Sequence, residues 1–524
     1  MSISTALSRV TGFIRTWAIA YALGVTVLSS AYSVANNIPN MIYELVAGGV
    51  ISSLFIPIFL EQWDKRGQED AWRYASHLFN LTTIGLSVVA VIGTVFAEQF
   101  VWTQMFRSGA ATQEVELAAF FFKFFAIQVV FYGAGAVISG LLNSQRKFLW
   151  PAIGPVFNNL VVIVTLLGFY VPFRDTDPQL AKIGLAVGTS LGVLVMFLVQ
   201  VPALVRLGVR YTPRIDLKDP ALRQMGRMAI PTLIYVVSNL VAVSVRNAYA
   251  FEVSAEGPAT LLYAWMFYQL PYGIFAVALA TAIFTELSDK AGREDWLGFK
   301  TTFAKGFKAT GMLILPMAAM LIALSEPLIT MYRAGAFTSD DVPVVAEILA
   351  WWGGALFFYA TFMYVLKTFY SLQDTKTPML VNIVLMVVHI ALYAVLSVGV
   401  GRWTGLGLRG IPIADMVFYA VSLATLAFIL RRKIGSYDMR SILSTLARTA
   451  VAAAVGGAAA YAIVFLTPSL SGTRVGFIAQ LLLGGTAGLA ITYGLAAAMR
   501  VEEVSFALDL GRRVLSRARR KARS

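Results

Sequence analysis

The sequence carries little charge for its length. Only 13% of its 524 residues are charged, whereas 58% are hydrophobic, and the mean hydropathy is +0.72. A soluble globular chain has about 25% charged residues, because charge must cover its surface. This composition excludes a soluble enzyme, a nucleic-acid-binding domain, a coiled coil and a disordered chain. It predicts an all-α protein that crosses a membrane many times.

Cysteine is absent, and histidine occurs only twice, as His77 and His389. The absence of cysteine excludes disulfides and thiolate metal sites. The sequence also lacks the GxxxxGK phosphate loop, the Rossmann glycine pattern and HExxH. The long, continuous apolar runs argue against a transmembrane β-barrel, whose strands alternate. We therefore predict no enzymatic activity, no cofactor and no metal, and ordinary structural roles for both histidines.

Fourteen apolar segments follow one another along the chain, each long enough to cross a hydrocarbon core of about 30 Å. The second segment is overlong and contains Pro39, so we expect a bent or broken helix there. The approximate bounds are 4–24, 28–60, 75–98, 115–142, 150–171, 181–205, 226–251, 259–286, 308–327, 343–367, 378–400, 409–430, 444–466 and 475–499.

The net charge of +14 is unevenly distributed. If the N-terminus is inside, 31 of the 42 Lys and Arg residues fall in inner loops and the tail, and seven fall in outer loops. Cytoplasmic loops of membrane proteins carry such an excess, so we predict that both termini are cytoplasmic. The basic, amphipathic tail from Val501 to Ser524 is expected to lie on anionic lipid rather than on nucleic acid.

An internal repeat spans six helices. Met105–Ala110 resembles Met331–Ala336 at an offset of 226 residues, and Ser144–Pro151 resembles Ser371–Pro378 at an offset of 227. An even number of helices makes the two copies parallel, as in many transporters. The expected organisation is an N-lobe at 1–206 (helices 1–6), a C-lobe at 207–431 (helices 7–12), helices 13–14 at 432–500, and a cytoplasmic tail at 501–524. Glycine pairs in helices 13–14 favour close helix contact or a groove.

Charged side chains within spans are costly and therefore mark functional candidates. Arg9 and Arg15 lie on the first helix about 120° apart, and Arg246 lies on the seventh. Arg9 has the alternative of reaching the inner interface, and Arg246 that of pairing with Glu252 or a lipid phosphate. Arginine binds phosphate through two parallel hydrogen bonds, so these guanidinium groups predict a phosphate-bearing ligand.

Uncharged polar groups accompany two prolines in the spans. Asn37 and Asn40 flank Pro39, and Gln269 precedes Pro271 in a weaker match between the two repeats. These amides suit sugar or peptide groups of a ligand, and they equally suit backbone bonds that proline breaks. Glu44 follows on the same helix and is expected to neutralise an arginine. The predicted substrate-binding set is Arg9, Arg15, Asn37, Asn40, Glu44, Arg246 and Gln269.

Several motifs in this order resemble the MurJ (MviN) family of lipid II flippases, in the multidrug/oligosaccharidyl-lipid/polysaccharide exporter superfamily. The similarity covers about residues 5–500. The motifs are SRVTGFIR at Ser8–Arg15, Ile38-Pro39-Asn40, Phe55-Ile56-Pro57, Asn143–Phe148 with Pro151, Pro155 and Asn158, and Phe369–Ser371 with Gln373-Asp374 and Lys376–Pro378.

The resemblance implies a fourteen-helix carrier in the bacterial plasma membrane. It would move undecaprenyl-diphosphate-linked disaccharide pentapeptide from the inner to the outer leaflet by alternating access, with the prenyl chain along helices 13–14. The family's first-helix arginines match Arg9 and Arg15, and its asparagine after proline matches Asn40.

The chain departs from the family at other charged positions. Ser30 stands for an aspartate, Tyr43-Glu44 for an arginine pair, and Met266 and Gln269 for an arginine and a glutamate. We hypothesise that Arg246 replaces part of the missing positive charge. Other readings remain open: a carrier of another polyprenyl-linked glycan, a multidrug antiporter, or a membrane-embedded glycosyltransferase. Cell-wall synthesis proteins are candidate partners on the same basis.

Overall fold

The computed structural model describes residues 2–44, 55–107, 112–216, 219–471, 474–501 and 503–504. Within these ranges the backbone forms helices joined by turns, and none of it forms a β-strand. The predicted all-α fold is therefore confirmed. Nearly all of the basic tail lies outside the described residues.

The chain separates into two compact units. The first comprises Met1–Ala259 with Ala334–Thr338, and the second comprises Thr260–Arg333 with Ser339–Ser524. The helices of the first unit are α1 (Ser2–Leu23), α2 (Val27–Tyr43), α3 (Ile56–Arg66), α4 (Gln68–Val95), α5 (Ala97–Trp102), α6 (Thr112–Phe125), α7 (Gln128–Ser144), α8 (Leu149–Thr165), α9 (Val171–Phe173), α10 (Pro178–Leu198), α11 (Val201–Val205) and α12 (Pro220–Val253).

The remaining helices belong to the second unit, apart from the first residues of α13. They are α13 (Gly257–Pro271), α14 (Val277–Gly292), α15 (Trp296–Ala323), α16 (Ser325–Thr330), α17 (Asp341–Ser371), α18 (Lys376–Tyr393), α19 (Gly410–Ile434), α20 (Met439–Leu466), α21 (Pro468–Ser471) and α22 (Arg474–Ala498).

Five of these helices start at a side-chain cap that the sequence supplies. The oxygens of Thr26, Asp177, Asp219, Asp295 and Asp438 each accept a hydrogen bond from a backbone amide in the first turn of the following helix, at 2.8–3.2 Å. The first amides of a helix have no partner within the helix, so each cap stabilises its helix by about 1 kcal/mol. Polar residues between apolar runs thus fix where the helices begin.

Ten helical runs among the described residues are long and apolar enough to cross a membrane. The pair Gln113–Phe125 and Gln128–Ser144, bent by 42°, makes an eleventh. The three other predicted spans coincide with α1, α2 and α12, which carry most of the polar candidate residues. The expected count of fourteen therefore stays a prediction.

The two repeat copies share unusual local backbone conformations. Arg146 and Gln373, at matching positions of the second motif pair, adopt left-handed φ angles of 58° and 56°. In each turn the next amide donates to a carbonyl five residues back, at 2.7 and 3.0 Å. Single wide π-type turns also recur, at Leu166–Tyr170 and Ala394–Val398. An internal duplication produces such left-handed residues and π-type turns at equal spacing in both copies.

The first compact unit extends beyond the N-lobe expected at 1–206. Buried side chains of α4 hold the connection into α12: Asn80 donates to the carbonyls of Thr212 and Arg214 at 2.9 Å, and the Tyr74 hydroxyl lies 3.2 Å from the sulfur of Met225. Helix α12 therefore belongs to the first unit by packing. The expected lobe bounds come from the repeat in the sequence, whereas the two units are defined by packing. Those lobe bounds therefore stay a prediction.

Ala334–Thr338 joins the first unit through two glycines in the left-handed conformation. Gly24 and Gly335 both have φ of 62°, and the Ala336 amide donates to the Tyr21 carbonyl at 2.8 Å. A Cβ on Gly335 would overlap that carbonyl, and one on Gly24 would overlap the carbonyl of Ala336. Glycine is thus required on both sides of this close approach.

The glycines of α20 and α22 bring these two helices into contact. A Cβ on Gly456 would overlap the hydroxyl of Thr492 and the carbonyl of Gly488. Small residues permit such backbone approach in membrane helices, where dispersion rather than water exclusion drives association. Close contact, one of the two outcomes expected for the glycine-rich segments, is therefore present.

Candidate functional site

The two arginines of α1 differ in their surroundings. Arg15 is half-buried, whereas Arg9 is exposed. Helix α1 is held against α8 by the buried Asn159 amide, which donates to the Thr11 hydroxyl at 3.1 Å and to the Ser8 carbonyl at 3.4 Å. This anchoring fixes the rotation of α1 and so the direction in which Arg15 faces.

A bent or broken helix was expected at Pro39. Helix α2 continues through this proline to Tyr43, so the described residues show no break, and a bend stays a prediction. Proline removes one backbone hydrogen bond and loosens the turn before it. The Asn40 amide donates to the Asn36 carbonyl at 2.7 Å within that turn. Of the two roles considered for these asparagines, the local backbone role is therefore the one that Asn40 adopts in this structure.

An aromatic pair joins the end of α2 to the arginine of α1. The rings of Tyr43 and Tyr132, from α2 and α7, have centroids 4.7 Å apart. The Tyr132 hydroxyl also lies within electrostatic range of Arg15. We name Arg15, Asn37, Asn40, Tyr43 and Tyr132 the α1–α2 polar cluster. It brings together the two helices on which the sequence placed most candidates.

A buried glutamine connects α2 with α12. Gln104 donates to the Ser244 hydroxyl at 2.7 Å, accepts from Asn247 at 2.8 Å and lies 3.3 Å from the Met41 sulfur. Since Met41 follows Asn40, and Arg246 precedes Asn247, this network places the turn of α12 that carries Arg246 beside the end of α2. Gln104 and Asn247 were not among the sequence candidates.

Glu252, one of the partners considered for Arg246, forms its ion pair with a different arginine. Glu252 is held by Arg107 in a bidentate pair of 2.9 and 3.0 Å, and this pair raises the pKa of Arg107. Arg246 itself is half-buried. Glu44 is exposed and forms no ion pair with any described residue, so the expected neutralisation of an arginine by Glu44 is not seen.

Ser30, at the position where the resemblance expects an aspartate, has a structural contact. Its buried hydroxyl accepts from the backbone amide of Ala259 at 3.2 Å, in the first turn of α13. Ser30 thus satisfies one of the orphan amides at the start of that helix.

Gln269 lies in the second unit and is half-buried near the end of α13. It follows Tyr268, whose ring packs on Trp352 with centroids 5.8 Å apart. Pro271 ends α13, and a π-type turn at Tyr272–Ala276 leads into α14. The helix is thus irregular after Gln269, whereas α2 continues through Pro39.

An apolar groove of about 570 Å³ runs along α20 in the second unit. Its walls come from α15, α17 and α20, and its lining includes Gly353, Gly354, Phe357 and Ala450. Glycines and alanines leave the space, and the lining is almost entirely hydrocarbon. The resemblance places the prenyl chain along predicted helices 13–14. Predicted helix 13 corresponds to α20, so the groove lies beside it.

The turn between α17 and α18 explains one of the sequence motifs. Asp374 accepts from the Thr377 amide at 3.0 Å, the Thr377 hydroxyl at 2.7 Å and Lys433 at 2.7 Å. Burial favours a raised pKa for Asp374, but these donors outweigh it and hold the pKa below its usual value. The motif therefore caps α18 and ties it to the end of α19.

Ten or eleven apolar helical runs among the described residues, a half-buried arginine in one compact unit and an open hydrocarbon groove in the other fit a polytopic membrane carrier. The signature of the family described as lipid II flippase MurJ matches residues 19–480. The chain belongs to this MurJ family, whose members are flippases and not enzymes.

The relatives extend over most of the chain. Similar proteins are the probable lipid II flippases MurJ of Vibrio cholerae, 28% identical over 76% of this chain and 76% of the relative, and of Rhizobium meliloti, 28% identical over 87% and 84%. A solved lipid II flippase MurJ in an inward closed conformation matches with a TM-score of 0.77 at 21% identity, covering 95% of this chain and 99% of that one. An inward-facing multidrug MATE transporter of the MOP superfamily matches with a TM-score of 0.67 at 16% identity, covering 83% and 94%. These structures share the fold.

Proposed function

We propose that this protein is a lipid II flippase, which moves the undecaprenyl-diphosphate-linked peptidoglycan precursor from the inner to the outer leaflet by alternating access. The family membership supports the substrate class. The observation that carries the proposal in this chain is the half-buried Arg15 within the α1–α2 polar cluster. A half-buried guanidinium favours an anionic partner, and a diphosphate supplies one.

The diphosphate is the part of lipid II that cannot cross hydrocarbon unaided. Arg15 stays charged at every physiological pH and presents several N–H donors in a plane, which suits phosphate oxygens. The Tyr132 hydroxyl lies within electrostatic range of Arg15, and Asn37 and Asn40 lie on α2, whose Tyr43 packs on the Tyr132 ring. Arg246 adds a second positive charge near the end of α2. In this proposal the two arginines take the diphosphate, and Asn37 contacts the sugar or peptide.

The prenyl chain needs a different environment. The groove beside α20 offers hydrocarbon walls, but lipid tails are as apolar as these walls, so little affinity comes from water exclusion. The groove instead keeps the chain next to the carrier while the headgroup moves. Other contacts with lipid II during the transport cycle are proposed for Gln269, Arg9 and Glu44.

The orientation follows from the distribution of basic residues. We propose a bacterial inner-membrane location with both termini cytoplasmic and the basic tail on anionic lipid. The start of the tail is positioned by Glu503, which pairs with Lys308 at 3.2 Å, and by the buried Val501 and Val504. Cell-wall synthesis enzymes are the partners that such a carrier would supply.

The decisive experiment measures lipid II at the outer face of cells that rely on this protein alone. Depletion is expected to abolish the outer-leaflet signal and to cause accumulation inside, and re-expression restores it. An outer-leaflet signal that persists after depletion contradicts the proposal. Full-length protein in vesicles containing lipid II, with an externally added reagent that reads the outer leaflet, provides the same test without other cell components.

A further inference from the structure

The second unit buries one carboxylate among hydrogen-bond donors. Asp415 is 4% exposed and lies in α19. It accepts from the Trp352 indole of α17 at 2.8 Å, and from the Tyr393 hydroxyl of α18 at 2.5 Å. The Nε2 atom of His389, also in α18 and 4% exposed, lies 2.9 Å from the same carboxylate. Three helices within apolar spans therefore meet at one acid.

The surrounding groups favour a proton over a metal ion as the bound species. Indole and hydroxyl direct hydrogens toward Asp415, whereas a metal site needs several oxygens directed toward the ion. Within the described parts of the chain, no group of three or more His, Cys, Asp or Glu residues is arranged to hold a metal ion. A carboxylate whose lone pairs already accept hydrogen bonds has little left to offer a cation.

His389 has a vacant position for a proton. An ionised carboxylate only accepts, so the neutral imidazole must carry its hydrogen on Nε2, which leaves the Nδ1 lone pair. That buried Nδ1 has no hydrogen-bond partner among the described residues. Addition of a proton to Nδ1 gives an imidazolium, and the net charge of the pair changes from −1 to 0. No other bond changes.

The other groups around the pair are mostly phenols. Tyr268 of α13 lies in electrostatic range of Asp415, as well as of Tyr359, Tyr419 and Tyr272. Phe418 stacks on the His389 ring with centroids 4.1 Å apart. The nearest ion pair along these helices is exposed, between Arg409 and Glu347 at the ends of α19 and α17.

The pair sits close to one end of α19. Asp415 is five residues after the first residue of the helix, which corresponds to about 7.5 Å along its axis. The predicted topology places this end on the outside. A proton therefore has a short route from the outer solution to the pair.

We propose that His389 and Asp415 form a proton-binding site through which this carrier couples its cycle to the proton gradient. The inference rests on the proposed flippase function and names its driving ion. Intramembrane Asp and His pairs are the usual means of proton coupling in pumps and transporters. Proton entry from the outer side would accompany outward movement of lipid II, so that an inward proton gradient drives export.

Contacts in the second unit connect the proton site to a substrate candidate. Trp352 donates to Asp415 and packs on Tyr268, and Tyr268 is the neighbour of Gln269 in α13. A change in the charge of the pair alters the hydrogen bond to Trp352 and so the packing of α13. This chain of contacts within the second unit gives the proton a physical means of affecting the position of Gln269.

Protonation is measured directly because the protein has only two histidines. The full-length protein, labelled with ¹⁵N-histidine and placed in lipid nanodiscs, is titrated by NMR, and His77→Gln assigns the signals. We expect the His389 Nδ1 signal to change from that of a bare nitrogen to that of an N–H as the pH is lowered, and Asp415→Asn to alter that change. The matched variant Tyr393→Phe removes one donor but keeps both His389 and Asp415, so the Nδ1 signal should still change. A His389 Nδ1 that gains no proton while the protein stays folded overturns the inference.

Coupling is measured in vesicles with the membrane potential clamped. One proton per cycle changes the ratio of lipid II between leaflets by up to about tenfold per pH unit across the membrane. We expect this response in the wild type and its loss in His389→Gln and Asp415→Asn. Flipping that ignores the pH gradient, or follows a sodium gradient instead, overturns the inference but leaves the flippase function intact. Wild-type vesicles without flipping contradict the flippase function, while the NMR titration still decides whether the pair binds a proton.

Discussion

Removal of the Arg15 side chain tests the proposed diphosphate site. Arg15 is the half-buried cation of the α1–α2 polar cluster, within electrostatic range of the Tyr132 hydroxyl. In Arg15→Ala the helix keeps its anchor, because Asn159 holds α1 through Thr11 and the Ser8 backbone. The variant should therefore fold, and its defect should appear in substrate binding.

The expected size of the effect follows from the interaction that is lost. A hydrogen bond to a charged group contributes about 1.5–3 kcal/mol, which corresponds to a 10- to 150-fold weaker affinity for lipid II. Arg15→Lys keeps the charge but loses the planar, two-pronged geometry, so its affinity should fall between those of Arg15→Ala and the wild type. The control is Arg402→Ala, which removes an exposed arginine from a loop of the second unit.

The assay combines binding and transport. Affinity for lipid II is measured on purified full-length protein, and outer-leaflet lipid II is measured in cells that depend on each variant. Thermal stability confirms folding. If Arg15→Ala binds lipid II within twofold of the wild type, as Arg402→Ala should, the cluster is not the diphosphate site and the reasoning from the half-buried guanidinium is wrong.

Three further changes test the packing, the turn and the groove. Gly456→Ala should lower the melting temperature because its Cβ overlaps α22, at a cost of about 1–3 kcal/mol, whereas Gly494→Ala on α22 has open space and should not. Because donors hold the pKa of Asp374 below its usual value, its stabilisation is complete above that usual value and is lost as pH falls through the lowered one. Thermal melts toward pH 3 should therefore fall more steeply for the wild type than for Asp374→Asn. Ala450→Trp, which fills the groove, should slow flipping in vesicles, and Ala458→Trp, exposed on the same helix outside the groove, should not.

Composition was sufficient to predict the fold class, because hydrocarbon solvent leaves so few ways to satisfy a backbone. The repeat was also readable, since its motifs contain residues that set local geometry. Arg146 and Gln373 adopt the same left-handed conformation, and the turn after each is bonded alike. The ends of a helix could be predicted from the sequence where the chain offers a capping side chain or a glycine.

The polar contacts between distant segments were not readable. Gln104 and Asn247 are 143 residues apart, and neither stands in a motif, so only packing reveals that they bind each other. Asp415 did carry a signal, as an acid inside an apolar run, but an acid alone does not indicate the histidine it binds. His389 looked solitary because its partner is 26 residues away on the next long helix.

Helices α1, α2 and α12 carry most of the polar candidate residues, and their shared location gives a physical argument for the proposed diphosphate site. An arginine at the centre of a spanning helix costs about 2.5–3.5 kcal/mol on insertion. That is a sizeable part of the whole stability of many proteins, about 5–15 kcal/mol. Helices α1, α2 and α12 lie in the same compact unit, where Tyr132 and Gln104 connect their polar turns. A cluster that holds a half-buried guanidinium costs stability until an anion is bound, and the four non-bridging oxygens of a diphosphate are suited to offset that cost.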